Sequence, residues 1–330
     1  MSRSHLCWIV LVLLLVSGAA AAMLVGAGDL SDAALRERFL VLRGWRLANA
    51  FLSGAALAAA GVLVQGLFRN PLASPSLIGT SAGASLGGVA VLLAWDAVLA
   101  GALPPWMPAE LVLPIGCLVG AWASLAILLG VTGRDAGMIT VLLTGFILSS
   151  LFLSIVGLLS AFAQERYELG RAVVAFTLGG VESAGPRHAL LALPLVGVTA
   201  FVALGWCRHL DVLLSGEEEA RSLGVDVPRV RRWTIVWAAT LTAAAVAIGG
   251  NIAFVGLVVP HALRSFVGEL HGRLFPAALV GGGAFVVWAD VVTRVIPTTS
   301  TIPLGVVTGL VGAPVFLVLL ARASREGRLA

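Results

Sequence analysis

Long apolar runs separated by short polar segments extend along almost the whole chain. Nine of these runs are close to the length of about 20 residues that an α-helix needs to cross the hydrocarbon core of a bilayer. They lie near residues 7–26, 47–67, 77–100, 109–131, 138–162, 187–206, 233–251, 276–296 and 303–321. A tenth run, 254–268, is too short to cross fully, and such segments can line a cavity. The pattern predicts an all-α, polytopic membrane protein with about ten membrane helices, one of them a partial span, in a single domain over 1–330.

The first apolar run, 7–26, has two interpretations. It follows Arg3 and ends in Ala19–Ala22, which is similar to a secretory signal with an A-x-A cleavage site. It is also long enough to span the bilayer, and further spans follow it throughout the chain. We therefore expect an uncleaved first helix.

The composition indicates a membrane protein and excludes an ordinary ATPase. Of the 330 residues, 59% are hydrophobic and 12% are charged, whereas a soluble domain carries about 25% charged residues. All 21 basic residues are arginine. A P-loop needs a lysine that contacts the β- and γ-phosphates. The chain therefore contains no ordinary P-loop, and any ATP-driven activity must draw its energy from a partner.

The arginines indicate membrane topology and argue against nucleic-acid binding. The net charge is +4, but the arginines are spread among the loops, with no basic stripe and no interleaved aromatic residues. If the N-terminus is inside and the helices alternate, 13 arginines fall on the inner side and 8 on the outer side. The positive-inside rule then places both termini in the cytoplasm.

Two patterns that are similar to metal or catalytic sites have simpler explanations. The three cysteines are Cys7, Cys117 and Cys207. Their spacing is neither that of a metal site nor that of a disulfide framework, so we expect no metal site. The segment 83–87 matches the hydrolase elbow G-x-S-x-G, but it opens a membrane helix instead of a strand–turn–helix unit. Glycines repeat every four residues here and again at Gly116 and Gly120. Such small-residue faces favour close helix packing in lipid.

The longest polar stretch on the predicted inner side is 208–232. Ser215 can cap a short helix whose first turn contains three glutamates, and Gly224 can end that helix. Pro228 can start the next helix. Apolar contacts are offered by Ala220, Leu223 and Val225. Two short helices under the membrane would form a docking surface for a cytoplasmic partner; the alternative is a solvated loop that obeys the positive-inside rule.

Four segments, in order along the chain, carry recognisable motifs. The first two are QGLFRNPLASP with GTSAGA in 65–84, and SGEEEARSLGV in 215–225. The others are FVGLVVPHALR in 254–264, and PLGVVT with GAPVF in 303–316. Together they resemble the signature of the ABC importer permeases for iron–siderophore complexes, haem and vitamin B12, and the resemblance covers nearly the whole chain.

The resemblance implies a type II ABC importer permease in a bacterial inner membrane. Two copies of the ten-helix subunit would surround a central passage. Two cytoplasmic ATP-binding subunits would lie below, and a periplasmic substrate-binding protein would dock above. The cargo would be an iron chelate, such as a ferric siderophore or haem, or a corrinoid such as vitamin B12. The chain itself would be a transport subunit without enzymatic activity or a cofactor of its own.

The resemblance also assigns three groups of site residues. Coupling to the ATPase is implied for Gly216, Glu217, Glu218, Glu219, Ala220, Arg221, Leu223 and Gly224. Docking of the binding protein is implied for Arg43 and Arg46, which are expected to open the second helix, and for Arg294. The translocation pathway, its gate or its helix packing is implied for Gln65, Asn70, Pro71, Gly79, Gly83, Pro260, His261 and Arg264.

Several alternatives remain open for these residues. Arg294 lies four residues after Asp290, so a helix pair is possible, and we expect a structural role for Asp290. His261 could serve as a haem or metal ligand, but capping or gate packing is favoured. Departures from the family pattern at Trp45 and Thr301 put binding-protein contacts in doubt. The rival function is an ion-coupled secondary transporter, for which Asp290 is the candidate ion site.

Overall fold

The computed structural model describes residues 3–26, 32–95, 108–133, 137–296 and 302–325, and this part of the chain is helical apart from short connections. Within these ranges there are twelve α-helices. They are α1 (Arg3–Leu24), α2 (Ala33–Phe68), α3 (Thr80–Ala94), α4 (Val112–Thr132), α5 (Met138–Ala163), α6 (Tyr167–Leu178), α7 (Pro186–Leu213), α8 (Glu217–Ser222), α9 (Val227–Gly249), α10 (Val255–Val267), α11 (His271–Val295) and α12 (Leu304–Arg325). Short 3₁₀ helices cover Pro75–Ile78 and Ala109–Leu111.

Each predicted apolar run corresponds to a helix in the described residues. Seven helices are long and apolar enough to cross a membrane: α1, α2, α4, α5, α7, α9 and α11. Three further apolar stretches are shorter, namely Thr80–Ala94, Val255–Val267 and Leu304–Val318. The predicted partial span is therefore present as α10. The end of the run predicted at 77–100 lies outside the described residues.

Helix α2 is the central element of the bundle. It is 36 residues long and contacts α1, α7, α9, α10 and α11. Its buried surface consists mainly of alanine, glycine, valine and leucine. Small side chains let helix backbones approach closely, and this packing is what holds helices together where no water can be expelled. The bundle is thus assembled around one helix that is covered on nearly all sides.

The predicted small-residue faces are in contact in the structure. Gly83 and Gly87 on α3 pack against Gly116 and Gly120 on α4, so closely that a Cβ on Gly120 would lie 2.2 Å from the Gly83 carbonyl oxygen. Ser85, between these glycines, is buried. The helix-packing interpretation of this segment is therefore confirmed, and the serine has the surroundings of a packed helix.

The sequence-based start of one helix was wrong, and another helix was not predicted. Helix α2 begins at Ala33, well before the apolar run at 47–67, so Arg43 and Arg46 lie inside the helix and do not open it. Its second turn carries the exposed charges of Arg36, Glu37 and Arg38, which lower the local hydropathy, so an apolar-run search starts the helix too late. The stretch between the predicted apolar runs 138–162 and 187–206 contains helix α6, whose amphipathic pattern mixes charged and apolar residues. A uniform search for apolar runs misses such a helix.

The contact between α3 and α4 provides a test of the packing. Gly120→Ala places a methyl group against the Gly83 backbone, which cannot move aside cheaply, and we expect a loss of about 1–3 kcal/mol in the free energy of unfolding. The matched control is Gly130→Ala on the same helix, where nothing lies within 4 Å of the new Cβ. Thermal unfolding in detergent compares the two. Equal unfolding midpoints for the two variants would contradict the close contact.

Candidate transport sites

An aspartate and two arginines share a buried ion network at the end of the bundle that the arginine count assigns to the outside. The Asp290 carboxylate on α11 is only 1% exposed. Arg46 on α2 donates to Asp290 Oδ1 from Nε at 3.0 Å and from Nη2 at 2.8 Å. Arg294, one helical turn after Asp290, donates to Oδ2. The carboxylate is thus held by the two-nitrogen fork of Arg46, the geometry in which such pairs are strongest, and by a single nitrogen of Arg294.

A third arginine joins Arg294 in holding the end of helix α1. Arg43 donates to three backbone carbonyls over N···O distances of 2.8 to 3.1 Å. Arg294 donates to two more, at 3.0 Å and 3.2 Å. The acceptors are the carbonyls of Ala22, Met23, Leu24, Val25 and Gly26. The last carbonyls of a helix lack intrahelical partners and form the negative end of its dipole, so cations stabilise them.

The structure therefore brings the three predicted docking arginines together, but two of them are buried. The side chains of Arg43 and Arg294 are almost fully covered, whereas 25% of the Arg46 side chain is exposed. Asp290 has the structural surroundings expected for it, including the pair with Arg294.

Gln65 joins α2 to the short helix α10. The side chain is fully buried, and Nε2 donates to the carbonyls of Gly256 at 3.4 Å and Leu257 at 3.3 Å. Its Oε1 accepts from Arg264 Nη2 at 3.0 Å. Pro260 has no N–H, which leaves the carbonyl four residues earlier, that of Gly256, without its helical donor. Gln65 supplies this donor from the neighbouring helix.

The first and third sequence motifs meet at this point. Gly256 in the first turn of α10 lies against Pro75, whose ring would be 3.1 Å from a Cβ at position 256, and the Asn70 side chain accepts from the Leu72 N–H at 2.9 Å. Gly79, with φ of 82°, turns the chain from the 3₁₀ helix into α3. Gln65, Pro260 and Arg264 thus belong to one contact region between α2, the 3₁₀ helix Pro75–Ile78 and α10. Within the described residues, no group of three His, Cys, Asp or Glu side chains is placed to hold a metal ion.

A cavity of about 340 Å³ opens next to this contact region. It lies between α3, α5, α9 and the segment that leads into α10. Its polar groups are hydroxyls and an amide, from Ser74, Ser76, Ser81, Ser85, Ser149, Thr242 and Asn251. Phe254 also lines it and has φ of 63°, a conformation that side-chain-bearing residues adopt rarely and at a cost. The lining combines small polar and apolar residues without a charged side chain.

The predicted docking stretch contains one short helix, α8. Its first turn holds the three glutamates, and Gly216, with φ of 127°, precedes it. It ends in a Schellman motif, because Val225 N–H donates to Ala220 and Gly224 N–H donates to Arg221, both at 3.0 Å. The prediction that Gly224 ends the helix is confirmed.

Two details of the docking stretch were predicted wrongly. Ser215 does not cap α8, since its hydroxyl donates to the Val212 carbonyl at 2.8 Å. There is also no second short helix, because the chain continues into the long helix α9, with Asp226 as its N-cap and Pro228 in its first turn. The cap at Asp226 is strong enough to start α9 directly after the Schellman turn.

Helix α8 is anchored on one face and free on the other. Ala220 is fully buried, and Glu217 pairs with Arg231 on α9 at 2.9 Å. Leu223 is 68% exposed, and Glu218 and Glu219 are exposed as well. An apolar side chain flanked by two acids therefore projects from a rigidly held turn, as a docking surface requires.

A model of the FecCD transport family matches residues 6–322, which is nearly the whole chain. The chain belongs to the FecCD transport family. Among its relatives is the Fe(3+) dicitrate transport system permease protein FecD of Escherichia coli, which is 37% identical over 289 residues, 87% of this chain and 86% of that protein. The cobalamin import system permease protein BtuC of Halobacterium salinarum is 38% identical over 267 residues, 81% of this chain and 69% of that protein.

A solved structure extends the likeness to three dimensions. It is described as an inward-facing conformation of a metal-chelate type ABC transporter, and it aligns with this FecCD-family chain with a TM-score of 0.84 at 28% identity. The alignment covers 96% of this chain and 99% of that one. The helical architecture described above is therefore that of a solved ABC transporter.

The sequence reasoning missed two sets of polar residues in this FecCD-family chain. One is the hydroxyl lining of the cavity, for example Thr242 and Ser149. The other is a contact between Asp211 and His271, whose Oδ1 and Nδ1 atoms lie 2.7 Å apart. Isolated polar residues inside apolar helices were the available signal, because lipid-embedded polar side chains need partners.

The buried ion network of the FecCD-family chain should be essential for its stability. Asp290→Ala leaves the buried guanidinium group of Arg294 and the partly exposed one of Arg46 without their carboxylate, and we expect a loss of about 3–5 kcal/mol in the free energy of unfolding. The control is Glu110→Gln, which breaks an exposed pair with Arg187. The pKa of Glu110 lies below its ordinary value because of a hydrogen bond with its own backbone and the nearby Arg187. The denaturation midpoint measured in detergent should be unchanged for Glu110→Gln. A wild-type midpoint for Asp290→Ala would refute the role of the network.

Proposed function

We propose that this chain is the membrane-spanning permease subunit of a binding-protein-dependent ABC importer. The observation that carries the proposal is the match to the FecCD transport family over residues 6–322. The free face of α8 supports it, because it offers an apolar side chain and two acids to a cytoplasmic partner. The absence of lysine from the sequence supports it too, since ATP must then be hydrolysed by another subunit.

The proposed assembly contains two copies of this chain around a central passage, two cytoplasmic ATP-binding subunits and a periplasmic binding protein. The whole lies in a bacterial inner membrane, with about ten helices of each copy in lipid and both termini in the cytoplasm. The 13 arginines on the predicted inner side and 8 on the outer side support this orientation. Exposed leucine, valine and isoleucine on α1, α5 and α7 suit contact with lipid or with a second copy.

In the proposed mechanism, the loaded binding protein docks at the cluster of Arg43, Arg46, Asp290 and Arg294. The partly exposed guanidinium group of Arg46 suits the carboxylates of a partner. ATP binding and hydrolysis in the partner subunits move the coupling loop, 208–232, and this movement alternately opens an outer and an inner gate. The hydroxyl-lined cavity of about 340 Å³ borders the passage and holds a bulky cargo only weakly.

The proposed cargo is an iron chelate, such as a ferric siderophore or haem, or a corrinoid such as vitamin B12. The relatives support this class, since their names refer to Fe(3+) dicitrate and cobalamin. An ion-coupled transporter would require a membrane-embedded carboxylate that is available to an ion. Asp290 instead accepts from two guanidinium groups.

The importer assignment predicts specific partners. When the tagged chain is purified from its native membrane, we expect an ATPase subunit and a periplasmic binding protein to co-purify, with ATP hydrolysis in the complex. Leu223→Ser should weaken ATPase docking about tenfold, because a largely apolar contact is lost.

The matched control for this measurement is Leu270→Ser, which alters another exposed leucine on the predicted inner side. It should leave ATP hydrolysis unchanged. A chain that purifies alone and transports in response to an ion gradient would overturn the proposed function. Wild-type docking by Leu223→Ser would refute the coupling surface only.

The docking role of the arginine cluster can be tested at its exposed member. Arg46→Gln should weaken the affinity of the binding protein about tenfold, since charge-assisted hydrogen bonds contribute about 1.5–3 kcal/mol. The affinity of the wild-type complex should also fall as salt increases. Titration of the binding protein onto the complex in nanodiscs measures both.

Arg38→Gln is the control, because it removes the same charge from an exposed position on the same helix. If both variants lose affinity equally, only the general positive charge of this end matters. Unchanged affinity for Arg46→Gln, in a variant whose unfolding midpoint shows that it is folded, would remove Arg46 from the docking site.

A further inference from the structure

Asp211 and His271 form a buried contact between the end of α7 and the beginning of α11. The Asp211 Oδ1 atom lies 2.7 Å from the His271 Nδ1 atom and 2.6 Å from the His271 backbone nitrogen. A carboxylate oxygen only accepts, so Nδ1 carries the hydrogen of this contact. His271 is fully buried. One carboxylate oxygen therefore fixes both the backbone and the side chain of the first residue of α11.

The other side of the His271 ring lies against α2. A Cβ on Gly66 would be 2.2 Å from the His271 Nε2 atom, so the imidazole occupies the space that any larger residue at position 66 would need. Nε2 has no hydrogen-bond partner within the described residues, although it is buried. The ring is thus clamped between Asp211 on α7 and the backbone of α2.

This clamp lies between the coupling loop and the cavity. Asp211 is within the coupling loop, 208–232, and precedes α8 by six residues. On the other side, Gly66 follows Gln65, whose side chain holds the carbonyls of Gly256 and Leu257. Both of those residues line the cavity. A series of side-chain contacts and short stretches of chain therefore joins the proposed ATPase docking surface to the cavity wall.

We propose that the Asp211–His271 pair transmits movement of the coupling loop to α2, α10 and α11. The proposal rests on the proposed function, because it requires a partner that moves α8. A displacement of the end of α7 carries Asp211 with it, and the two hydrogen bonds to one oxygen pull the first turn of α11 along. The imidazole then pushes or releases α2 at Gly66. Asp211 and His271 are positioning residues, since neither lines the cavity.

A merely structural role, in which Asp211 caps α11, makes a different prediction. Loss of a cap would lower the stability of the complex, and ATP hydrolysis and the response of the cavity would decline together. Loss of a transmission element separates them, because the ATPase continues to turn over while the cavity no longer responds. The ratio of the two readouts therefore distinguishes the roles.

The experiment uses the whole complex in nanodiscs and needs no cargo. Ser76→Cys places a thiol in the cavity, and its labelling by N-ethylmaleimide is measured with and without ATP. The native cysteines, Cys7, Cys117 and Cys207, are buried and should give little background. The rate of ATP hydrolysis is measured on the same samples.

In the Ser76→Cys background, Asp211→Ala and His271→Asn should each reduce the ATP-dependent change in labelling about five- to tenfold. ATP hydrolysis should stay within about twofold of wild type. The double variant should be no worse than either single variant, because the two residues act as one contact. Asp211→Asn should restore the response, since an amide oxygen can accept the same two hydrogen bonds.

Gly66→Ala tests the link from the α2 side without altering either partner. Its methyl group would displace the imidazole, and we expect the same loss of response. Gly44→Ala on the same helix is the control, because nothing lies within 4 Å of the new Cβ. This pair keeps the proposal testable if Asp211→Ala or His271→Asn fails to fold.

Each outcome is decisive for one claim. A proportional fall of hydrolysis and labelling response in the variants, or an unchanged response in all of them, overturns the transmission role and leaves the importer assignment intact. A wild-type chain that binds no ATPase subunit overturns the proposed function itself. Uncoupling in Asp211→Ala, His271→Asn and Gly66→Ala, with a normal Gly44→Ala, supports the proposal.

Discussion

Helix α2 is buried in the bundle, and its polar side chains must find hydrogen-bond partners there. The partners lie on the neighbouring helices, so these hydrogen bonds fix where the neighbours pack. Arg43 holds the end of α1, and Arg46 holds Asp290 on α11. The Asn49 amide donates to the carbonyls of Ala184 and Gly185, at 3.0 Å and 3.1 Å, just before α7 begins. Gln65 holds the first turn of α10. These four polar residues of α2 thus supply hydrogen bonds to backbone or charge that the bilayer cannot satisfy.

This arrangement explains how broken helices can exist at membrane depth. Helix α10 contains Pro260 and starts from Phe254 in the left-handed region, so its first turn cannot satisfy itself. Gln65 and the surrounding close packing compensate, and the irregular backbone faces a cavity instead of lipid. The local irregularity also makes this wall the part of the bundle that is easiest to rearrange, which suits a gate.

The two ends of the molecule have different chemistry. At the predicted outer end, Arg46 and Arg294 share the Asp290 carboxylate, and part of the Arg46 side chain remains exposed to an acidic partner. At the predicted inner end, α8 is fixed by Ala220 and by the Glu217–Arg231 pair while Leu223 projects freely. The outer arginine cluster favours electrostatic docking of a partner. The exposed Leu223 favours an apolar contact through which a partner can move α8.

The apolar runs determined the all-α class, the positions of the membrane helices and the short α10, because bilayer thickness imposes a length on every crossing segment. Glycine spacing likewise predicted the contact between α3 and α4, and Gly224 predicted the end of α8. The motifs were sufficient for the family. Local patterns of this kind are read directly from neighbouring residues, so one sequence is enough for them.

Only the tertiary structure decided which polar groups are partners. Arg46 and Asp290 are 244 residues apart, and Arg43 and Arg294 bind backbone carbonyls, which no side-chain pattern reveals. The same holds for Asp211 and His271, and for the extension of α2 back to Ala33 through polar turns. The physical reason is that a buried polar side chain in lipid must find some partner, yet its choice depends on how the helices pack.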